Sequence, residues 1–235
     1  AESYIYAVPY EWYEKHHVRR YGFHGTSHRF VSERAADILG IAKDKFNCIT
    51  CHMGNGSSFT AIKDGKSYDT SMGMTPLEGS VMGTRCGDID AGIPKFLADN
   101  NGMSFADIDN ALNKQSGLLG ISGISSDMRD IEGAAKAGNE RAKLAIDVLR
   151  HRVMKYIGAY AIQLGRVDAI IFTGGIGENG IDFRASIVEK LTALGIKLDA
   201  AANNVRGKEA MISTADSPIK VMVVPTNEEL VIARD

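Results

Sequence analysis

Short apolar runs that alternate with helical patterns constrain the fold of this chain more than any other sequence feature. Residues 47–51, 169–172 and 221–224 are three such runs, each of strand length and each followed by a polar or glycine-rich segment. Residues 139–164 predict a long helix because apolar side chains recur there at helical spacing. Those predicted to face the core are Leu144, Val148, Leu149, Val153, Ile157, Tyr160, Ala161 and Leu164. Strands alternating with helices predict a layered α/β domain.

The remaining elements follow from capping and turn signals. Residues 27–39 predict a helix that ends at Gly40, and residues 57–62 and 66–70 predict a hairpin around Asp64-Gly65. Ser104 is placed to cap a helix over 104–114, and 183–194 predicts another helix. Thr226-Asn227-Glu228-Glu229 has the spacing of a capping box at the start of a last helix. Residues 72–90 predict a long ordered loop, a type that is often functional.

Composition narrows the class of protein. The net charge of -2 does not favour a nucleic-acid partner. No apolar run is long enough to span a membrane, and no signal peptide is evident. Three cysteines, an odd number, favour reduced thiols and hence a cytoplasmic location; the CxxC at Cys48 and Cys51 falls within a predicted strand and predicts no metal or redox site. Because the chain begins with Ala and no strand precedes Tyr4, we expect it to be part of a longer protein.

Residues 19–28 combine the parts of an anion site. His24 lies between two glycines, two arginines precede it, and Thr26-Ser27 could cap the helix that follows. Cationic or hydrogen-donating side chains, accessible backbone and a helix N-terminus together favour a bound anion. A basic loop leading into a helix is the structural alternative.

Two glycine-rich segments directly follow predicted strands. Residues 52–58 provide glycine backbone and polar donors that could approach phosphate oxygens, although an ordinary tight turn is the alternative. Residues 173–180 contain GxGxxG, the pattern of a dinucleotide fold, but the segment lies deep in the chain after a long helix. Glu178 and Asn179 in that segment also suit the base or ribose of a nucleotide. Gly65-Lys66-Ser67 lacks the earlier glycine and the following helix of a Walker A loop, so we reject that interpretation.

Residues 79–90 form a third glycine-rich segment, and it carries Arg85. An arginine among small residues is a candidate clamp for a phosphoryl group in transfer. The structural alternative is an ion pair between Arg85 and Asp88 within a turn.

Taken together and in this order, these segments resemble the acetate and propionate kinase family. The matching segments cover nearly the whole chain: residues 19–28, 52–58, 79–90, 127–129, 174–179 and 226–230. The resemblance implies an α/β, ribonuclease-H-like fold of the actin-like ATPase superfamily, with a mixed sheet flanked by helices. It also implies a linker over residues 1–20 that crosses from a preceding domain, and a nucleotide-binding C-terminal domain over 21–235.

The resemblance assigns specific roles to residues. It implies that His24 and Arg85 stabilise the transferring phosphoryl group and that Glu228 is the carboxylate associated with Mg²⁺. The residues it places around ATP or ADP are His52, Gly54, Asn55, Gly56, Ser57, Asp127, Met128, Arg129, Gly174, Gly175, Ile176, Gly177, Glu178 and Asn179. Taken singly, Asp127 and Arg129 could be a surface ion pair and Glu228 a charge at a helix start.

The implied reaction is reversible phosphoryl transfer from ATP to acetate, in a homodimeric enzyme. In this family an N-terminal domain supplies the remaining substrate contacts, so we expect the isolated chain to bind nucleotide weakly and to turn over poorly. Three alternatives stay open: a propionate kinase, a nucleotide-binding module without catalysis, and an oxidoreductase that binds NAD.

Overall fold

The computed structural model describes residues 2–227, in which six strands form one sheet and nine helices surround it. The strands are β1 Cys48–Met53, β2 Ser57–Lys63, β3 Lys66–Thr70, β4 Ala169–Thr173, β5 Ala210–Met211 and β6 Lys220–Val223. The helices are α1 Tyr10–His16, α2 Gly25–Leu39, α3 Ile93–Asn101, α4 Phe105–Lys114, α5 Gly117–Ser122, α6 Met128–Lys136, α7 Glu140–Leu164, α8 Gly174–Asn179 and α9 Ile181–Val188.

The sheet is mixed, with the strand order β3-β2-β1-β4-β6-β5. β1, β4 and β6 are parallel to one another, whereas β2, β3 and β5 each pair antiparallel with a neighbour. The carboxyl ends of the three parallel strands therefore meet at one edge, where open α/β sheets bind ligands. The β1–β2–β3 meander also differs from the parallel sheet of a dinucleotide fold, which weakens the NAD interpretation of GxGxxG.

Each face of the sheet is covered by its own helices, because side chains alternate along the parallel strands. Cys48, Ala169 and Ile171 belong to a core cluster with Val31 and Ala35 of α2. The opposite face contributes to a larger cluster with α7 and its neighbours; its sheet residues are Ile49, Cys51, Met53, Phe59, Ala61, Ile170, Phe172, Val221 and Val223. This confirms the predicted layered α/β class.

Several local predictions are confirmed. Asp64 and Gly65 both have positive φ, 50° and 73°, as a tight hairpin turn requires. Ser104 and Asp107 form a capping box at the start of α4, and Asn139 caps α7 by accepting from the Ala142 amide at 2.9 Å. Gly40 ends α2 in the left-handed conformation, and no helix or strand lies within residues 72–90.

Other local predictions are wrong. The glycine-rich segment 173–180, for which no helix is predicted, contains the helix α8, and the helix predicted over 183–194 is α9 followed by a separate 3-10 turn at Thr192–Leu194. α2 begins at Gly25, so Thr26 and Ser27 lie inside the helix rather than at its cap. Leu144, predicted to face the core, is 52% exposed. The predicted capping box at 226–229 extends beyond the described residues.

Three further observations complete the description of the fold. Within residues 2–227, no helix has both the length and the apolar character that crossing a membrane requires. The three cysteines are free thiols.

Arg20 donates to Glu78 at 2.8 Å, which ties the first twenty residues to the loop after β3. The predicted division between a linker and a domain at residue 20 stays a prediction.

Candidate active site

The turn between β1 and β2 forms the first wall of the site. The Gly54 amide donates to the Gly56 carbonyl at 3.1 Å, and the buried Ser57 hydroxyl donates to the Gly54 carbonyl at 3.2 Å. These bonds close the turn and leave Asn55 exposed at its tip. The Asn55 carbonyl accepts from the Gly83 amide at 3.0 Å, which joins this turn to the loop that carries Arg85.

The second wall is the junction between β4 and α8. Gly174 has a φ of +75°, and a Cβ there would lie 2.7 Å from the Met53 carbonyl oxygen. Only glycine therefore lets β4 turn into α8 this close to the first wall. The Glu178 carboxylate accepts from the amides of Gly174 at 2.9 Å and Thr226 at 3.2 Å. Glu178 thus stabilises the turn from β4 into α8. This role accounts for a glutamate at this position without any contact to the base or ribose of a nucleotide.

A cavity of about 700 Å³ lies between these walls and the start of α6. It combines backbone from glycine-rich segments with a few polar side chains, the composition of a small-molecule site. Its lining residues are Gly54, Asn55, Ser126, Asp127, Met128, Arg129, Glu132, Gly175, Ile176, Asn179, Gly180 and Arg206. Three segments that the sequence analysis singled out, 52–58, 127–129 and 174–179, therefore meet around one cavity.

Asp127 and Arg129 form the ion pair considered as the structural alternative, and they do so in the cavity wall. Asp127 caps α6 by accepting from the Arg129 amide at 2.9 Å, and the Arg129 guanidinium donates to the same carboxylate at 2.6 Å. Hydrogen bonds from Arg129 lower the pKa of Asp127 to about 2. The carboxylate is therefore ionised at neutral pH and fixed at the rim of the cavity.

Three histidines meet beside the β1–β2 turn. His24 and His52 stack with ring centroids 4.1 Å apart, and His28 lies edge-on to both, at interplanar angles of 61° to His24 and 64° to His52. His24 has a φ of 59°, which is uncommon for a residue other than glycine and places its ring over β1 and β2 at the start of α2. Burial, then repulsion from His24, lowers the pKa of His52 to about 4. Strained backbone of this kind clusters at functional sites.

Arg85 approaches the histidines from the loop between β3 and α3. Its guanidinium donates to the Pro76 carbonyl at 2.8 Å, and within residues 2–227 it forms no ion pair. The predicted alternative, a pair with Asp88, is wrong. Asp88 instead accepts from the Gly79 amide at 2.9 Å and from the hydroxyl of Tyr156 on α7.

Gly56 separates Arg85 from His24. A Cβ on Gly56 would lie 3.0 Å from Arg85 Nη2 and 3.5 Å from His24 Cε1. The guanidinium and the imidazole therefore flank the same small gap at the tip of the turn. A guanidinium and an imidazole that border the same gap favour an anion there.

Four residues at the site were not found from the sequence. Ser126, Glu132 and Arg206 line the cavity, and no motif distinguishes them in the sequence. Arg184 is fully buried and donates to the carbonyls of Gly177 and Glu178, each at 2.9 Å, so it supports the end of α8. Glu228 lies outside the described residues, and within residues 2–227 no group of three metal-ligating side chains occurs.

His28 makes the stability of the chain sensitive to acid. Burial, then repulsion from His52 and His24, lowers its pKa to about 3. The unfolded state therefore binds more protons below about pH 6.5, and stability is lost as pH falls from there towards 3. Because the pKa of His28 differs between the folded and unfolded states, this residue should lower the free energy of unfolding by about 2 kcal/mol between pH 7.5 and pH 5.

His28→Gln tests this linkage, because glutamine cannot titrate. We expect the variant to be less stable at pH 7.5 and the difference from the parent to shrink by about 2 kcal/mol at pH 5. Urea unfolding at both pH values measures the two differences. A difference that stays constant between them would contradict the assignment.

Known proteins are similar to this chain in sequence and in architecture. The acetokinase family profile matches residues 1–234. An acetate kinase of Halothermothrix orenii is 60% identical over 234 residues, and one of Treponema denticola is 60% identical over 235. Each alignment covers 100% of this chain and 59% of the relative, so the chain spans about three fifths of the length of these curated relatives.

Solved structures superpose closely on this chain. The crystal structure of Porphyromonas gingivalis acetate kinase superposes with a TM-score of 0.97 at 52% identity, over 100% of this chain and 59% of that one. A propionate kinase from Francisella tularensis gives a TM-score of 0.93 at 50% identity, over 99% and 59%. The mixed sheet flanked by helices is thus the actin-like ATPase type of fold.

Proposed function

Because the chain belongs to the acetokinase family, we propose that it forms the nucleotide-binding part of a kinase that transfers the γ-phosphoryl group of ATP reversibly to acetate. The products are ADP and acetyl phosphate. A carboxylate oxygen of acetate forms a bond to the γ-phosphorus as the bond between that phosphorus and the ADP oxygen breaks. The chain spans about three fifths of its relatives, so activity is assigned to the full-length protein that carries this segment.

The observation that carries the proposal is the continuity of the cavity with the gap between His24 and Arg85. Gly54 and Asn55 line the cavity, and Gly56, at the other end of the same turn, borders the gap. A nucleotide whose adenosine lies beside Ile176 and Asn179 would extend its phosphates along this turn. Its terminal phosphate would then lie near the two nitrogen-bearing groups.

The proposed roles follow from what phosphoryl transfer requires. The reaction depends mostly on positioning and on neutralising charge at the transferring group. The β1–β2 turn supplies backbone and side-chain donors to the phosphates, with His52 and Ser57 supporting it. Arg85 and His24 would stabilise the equatorial oxygens of the transferring group. Asp127, Met128, Arg129, Gly175, Ile176, Gly177 and Asn179 would surround the adenosine, and Gly174 and Glu178 would hold that wall in place.

Mg²⁺ is proposed as the metal. The described residues contain no carboxylate cage, and Mg²⁺ in kinases is held by one or two carboxylates together with substrate phosphates and water. The donor set therefore fits a metal bound mainly through the nucleotide. Glu228 would supply the carboxylate. Two residues earlier in the chain, the buried hydroxyl of Thr226 has no partner within residues 2–227. When bound, the ion would neutralise negative charge on the phosphates.

Propionate is the second candidate acceptor, since a structure titled propionate kinase is 50% identical to this chain. A homodimer is also proposed, and Phe96 and Phe105 are large apolar side chains, 62% and 79% exposed, that could contribute to an interface. Three free thiols support a reducing, cytoplasmic location.

Nucleotide titration separates this proposal from the NAD-binding interpretation. We expect calorimetry to show binding of ADP and ATP by the full-length protein and no binding of NAD. Ile176→Glu should weaken ADP binding about tenfold or more, because even a neutral polar group without a partner costs roughly 1–3 kcal/mol in an apolar wall and a carboxylate there also repels the phosphates. Ile162→Glu is the matched control, since Ile162 is 82% exposed and lies outside the cavity. Tighter binding of NAD than of ADP would refute the proposal.

Turnover separates a kinase from a nucleotide-binding module without catalysis. A kinase forms acyl phosphate from ATP and acetate, and the rate depends on Arg85. A binding module would bind ADP equally well and form no acyl phosphate. Comparing kcat/KM for acetate and propionate then decides between the two acceptors.

A further inference from the structure

The carboxylate of Glu78 holds two side chains from the first twenty residues. Arg20 Nη2 donates to Glu78 Oε1 at 2.8 Å, and the Tyr6 hydroxyl donates to Glu78 Oε2. The Tyr6 oxygen also accepts from the Met74 amide at 3.0 Å. Burial, then the hydrogen bond to Glu78, raises the pKa of Tyr6 to about 12, so the hydroxyl keeps the proton that it donates. Each oxygen of this one carboxylate therefore has a donor of its own.

The same three side chains hold the backbone that follows β3. Arg20 Nη1 donates to the carbonyls of the two residues directly after β3, at 3.1 and 3.2 Å. A Cβ on Gly73 would lie 1.9 Å from Glu78 Oε2 and 2.2 Å from the Tyr6 hydroxyl oxygen. The backbone at Gly73 therefore packs directly against the bond between those two side chains. Residues 71–79 contain no helix or strand, so their position depends on side-chain bonds of this kind.

Pro76 lies at the centre of this segment and is the partner of Arg85. Its carbonyl accepts from Arg85 Nη1 at 2.8 Å. Met74, bonded to Tyr6, comes two residues before Pro76, and Glu78 comes two residues after it. The proline ring restricts the backbone between these two points further. The acceptor that orients Arg85 thus lies between two fixed points, one on each side.

We propose that Glu78 is a positioning residue, which orients Arg85 by fixing the Pro76 carbonyl. The proposal deepens the function proposed above and rests on it for its catalytic consequence. Pro76 holds the guanidinium by Nη1, whereas Nη2 is the nitrogen that lies nearest to a Cβ built on Gly56, at 3.0 Å. One end of the planar fork is therefore held, and the other end is presented to the gap. An arginine that stabilises a transferring phosphoryl group needs such a defined direction.

Replacing Glu78 with glutamine keeps the shape of the side chain and removes one of its two acceptors. One of the donors, Arg20 or Tyr6, then loses its partner, and the segment that carries Pro76 can shift. In the full-length protein, Glu78→Gln should lower kcat by about 10- to 100-fold, because misplacement by about 1 Å has an effect of that size. KM for ATP should change by less than about threefold, since the lost alignment matters in the transition state.

Glu209→Gln is the matched control. Glu209 pairs with Arg34 at 2.8 Å, and its side chain is 39% exposed, close to the 34% of Glu78. The two substitutions therefore remove the same charge from an arginine–glutamate pair of similar exposure. Glu209→Gln should change kcat by less than about twofold.

A double-mutant cycle separates positioning of Arg85 from a general structural role. If Glu78 acts through Arg85, then Glu78→Gln should lower kcat by less than about twofold in a protein that already carries Arg85→Ala. A loss in that background equal to the loss in the parent would overturn the proposal. If Glu78→Gln does not fold, Tyr6→Phe gives the same test, because it removes only the hydroxyl bonded to Glu78 and to the Met74 amide. Its effect on kcat should likewise disappear in the Arg85→Ala background.

A structural readout without nucleotide tests the same contact separately from the proposed function. Crystal structures of the full-length parent and of Glu78→Gln compare the distance between Arg85 Nη1 and the Pro76 carbonyl oxygen, which is 2.8 Å here. We expect this distance to exceed about 3.5 Å in the variant, which is too long for a hydrogen bond. A bond of unchanged length in Glu78→Gln would overturn the proposal. A parent that forms no acyl phosphate would refute the proposed function, and the comparison of the two structures would still decide whether Glu78 orients Arg85.

Discussion

Replacing Arg85 with alanine is expected to lower kcat by about 10³- to 10⁵-fold in the full-length enzyme, the range found when a phosphoryl-transfer arginine is removed. KM for ATP should change by no more than about threefold, because an interaction made mainly in the transition state is lost from kcat. Steady-state kinetics with a coupled assay for acetyl phosphate measures both constants.

The geometry of Arg85 is the reason for so large an effect. Its guanidinium is half-buried, donates to one backbone carbonyl, and forms no ion pair within residues 2–227. Burial lowers the pKa of Arg85, so its charge is less well solvated there than in water and an anion beside it would be stabilising. A phosphoryl group in the gap beside Gly56 would supply that anion.

Two substitutions serve as controls for Arg85→Ala. Arg85→Lys keeps the charge but loses the planar fork of donors, so its kcat should fall between those of the parent and the alanine variant. Arg34→Ala removes a surface pair with Glu209 and should change kcat by less than about twofold. If KM for ATP rises while kcat stays at the value of the parent, Arg85 binds the substrate in its ground state and does not act mainly in the transition state.

The elements that local chemistry determines were predictable from the sequence. Three signals specify structure from residues that lie near one another in the sequence. They are the Asp64-Gly65 turn between alternating segments, the serine three residues before an aspartate at the start of α4, and the long apolar stripe of α7. Two of the segments that line the cavity, 52–58 and 174–179, were also predictable, because glycines and polar residues directly follow buried strands there. Their roles in binding stay predictions.

Elements that depend on distant contacts were not predictable. α1, α5 and α6 are nine residues or shorter, so a helical period has little length in which to show itself. The glycines of 173–180 predicted no helix, but α8 is stabilised by Glu178 at its start and by Arg184 at its end. The left-handed conformation of His24 likewise cannot be deduced from the residue type, since it depends on the packing of α2 against β1 and β2.

Gly117 also depends on a distant contact, although it belongs to none of the motifs found in the sequence. It opens α5, whose first amides bond to the loop that carries Arg85: Leu118 donates to the Met82 carbonyl at 2.9 Å, and Leu119 donates to the Gly83 carbonyl at 3.0 Å. Gly117 has a φ of +62°, and a Cβ there would lie 2.2 Å from the Met82 oxygen and 2.7 Å from the Arg85 oxygen. Both obstacles are backbone atoms, which cannot move aside as a side chain can.

Gly117→Ala should therefore cost about 3 kcal/mol of stability, from the left-handed backbone and the overlap together. It should also lower kcat by roughly 10²-fold, because the Arg85 loop must shift and misplacement by about 1 Å has that effect. Urea unfolding and steady-state kinetics measure the two losses. Gly133→Ala is the matched control: a Cβ at Gly133, in the middle of α6, meets nothing within 4 Å, so alanine should stabilise this helix by up to about 1 kcal/mol and leave kcat unchanged. If Gly117→Ala loses stability but keeps the kcat of the parent, then α5 does not position Arg85.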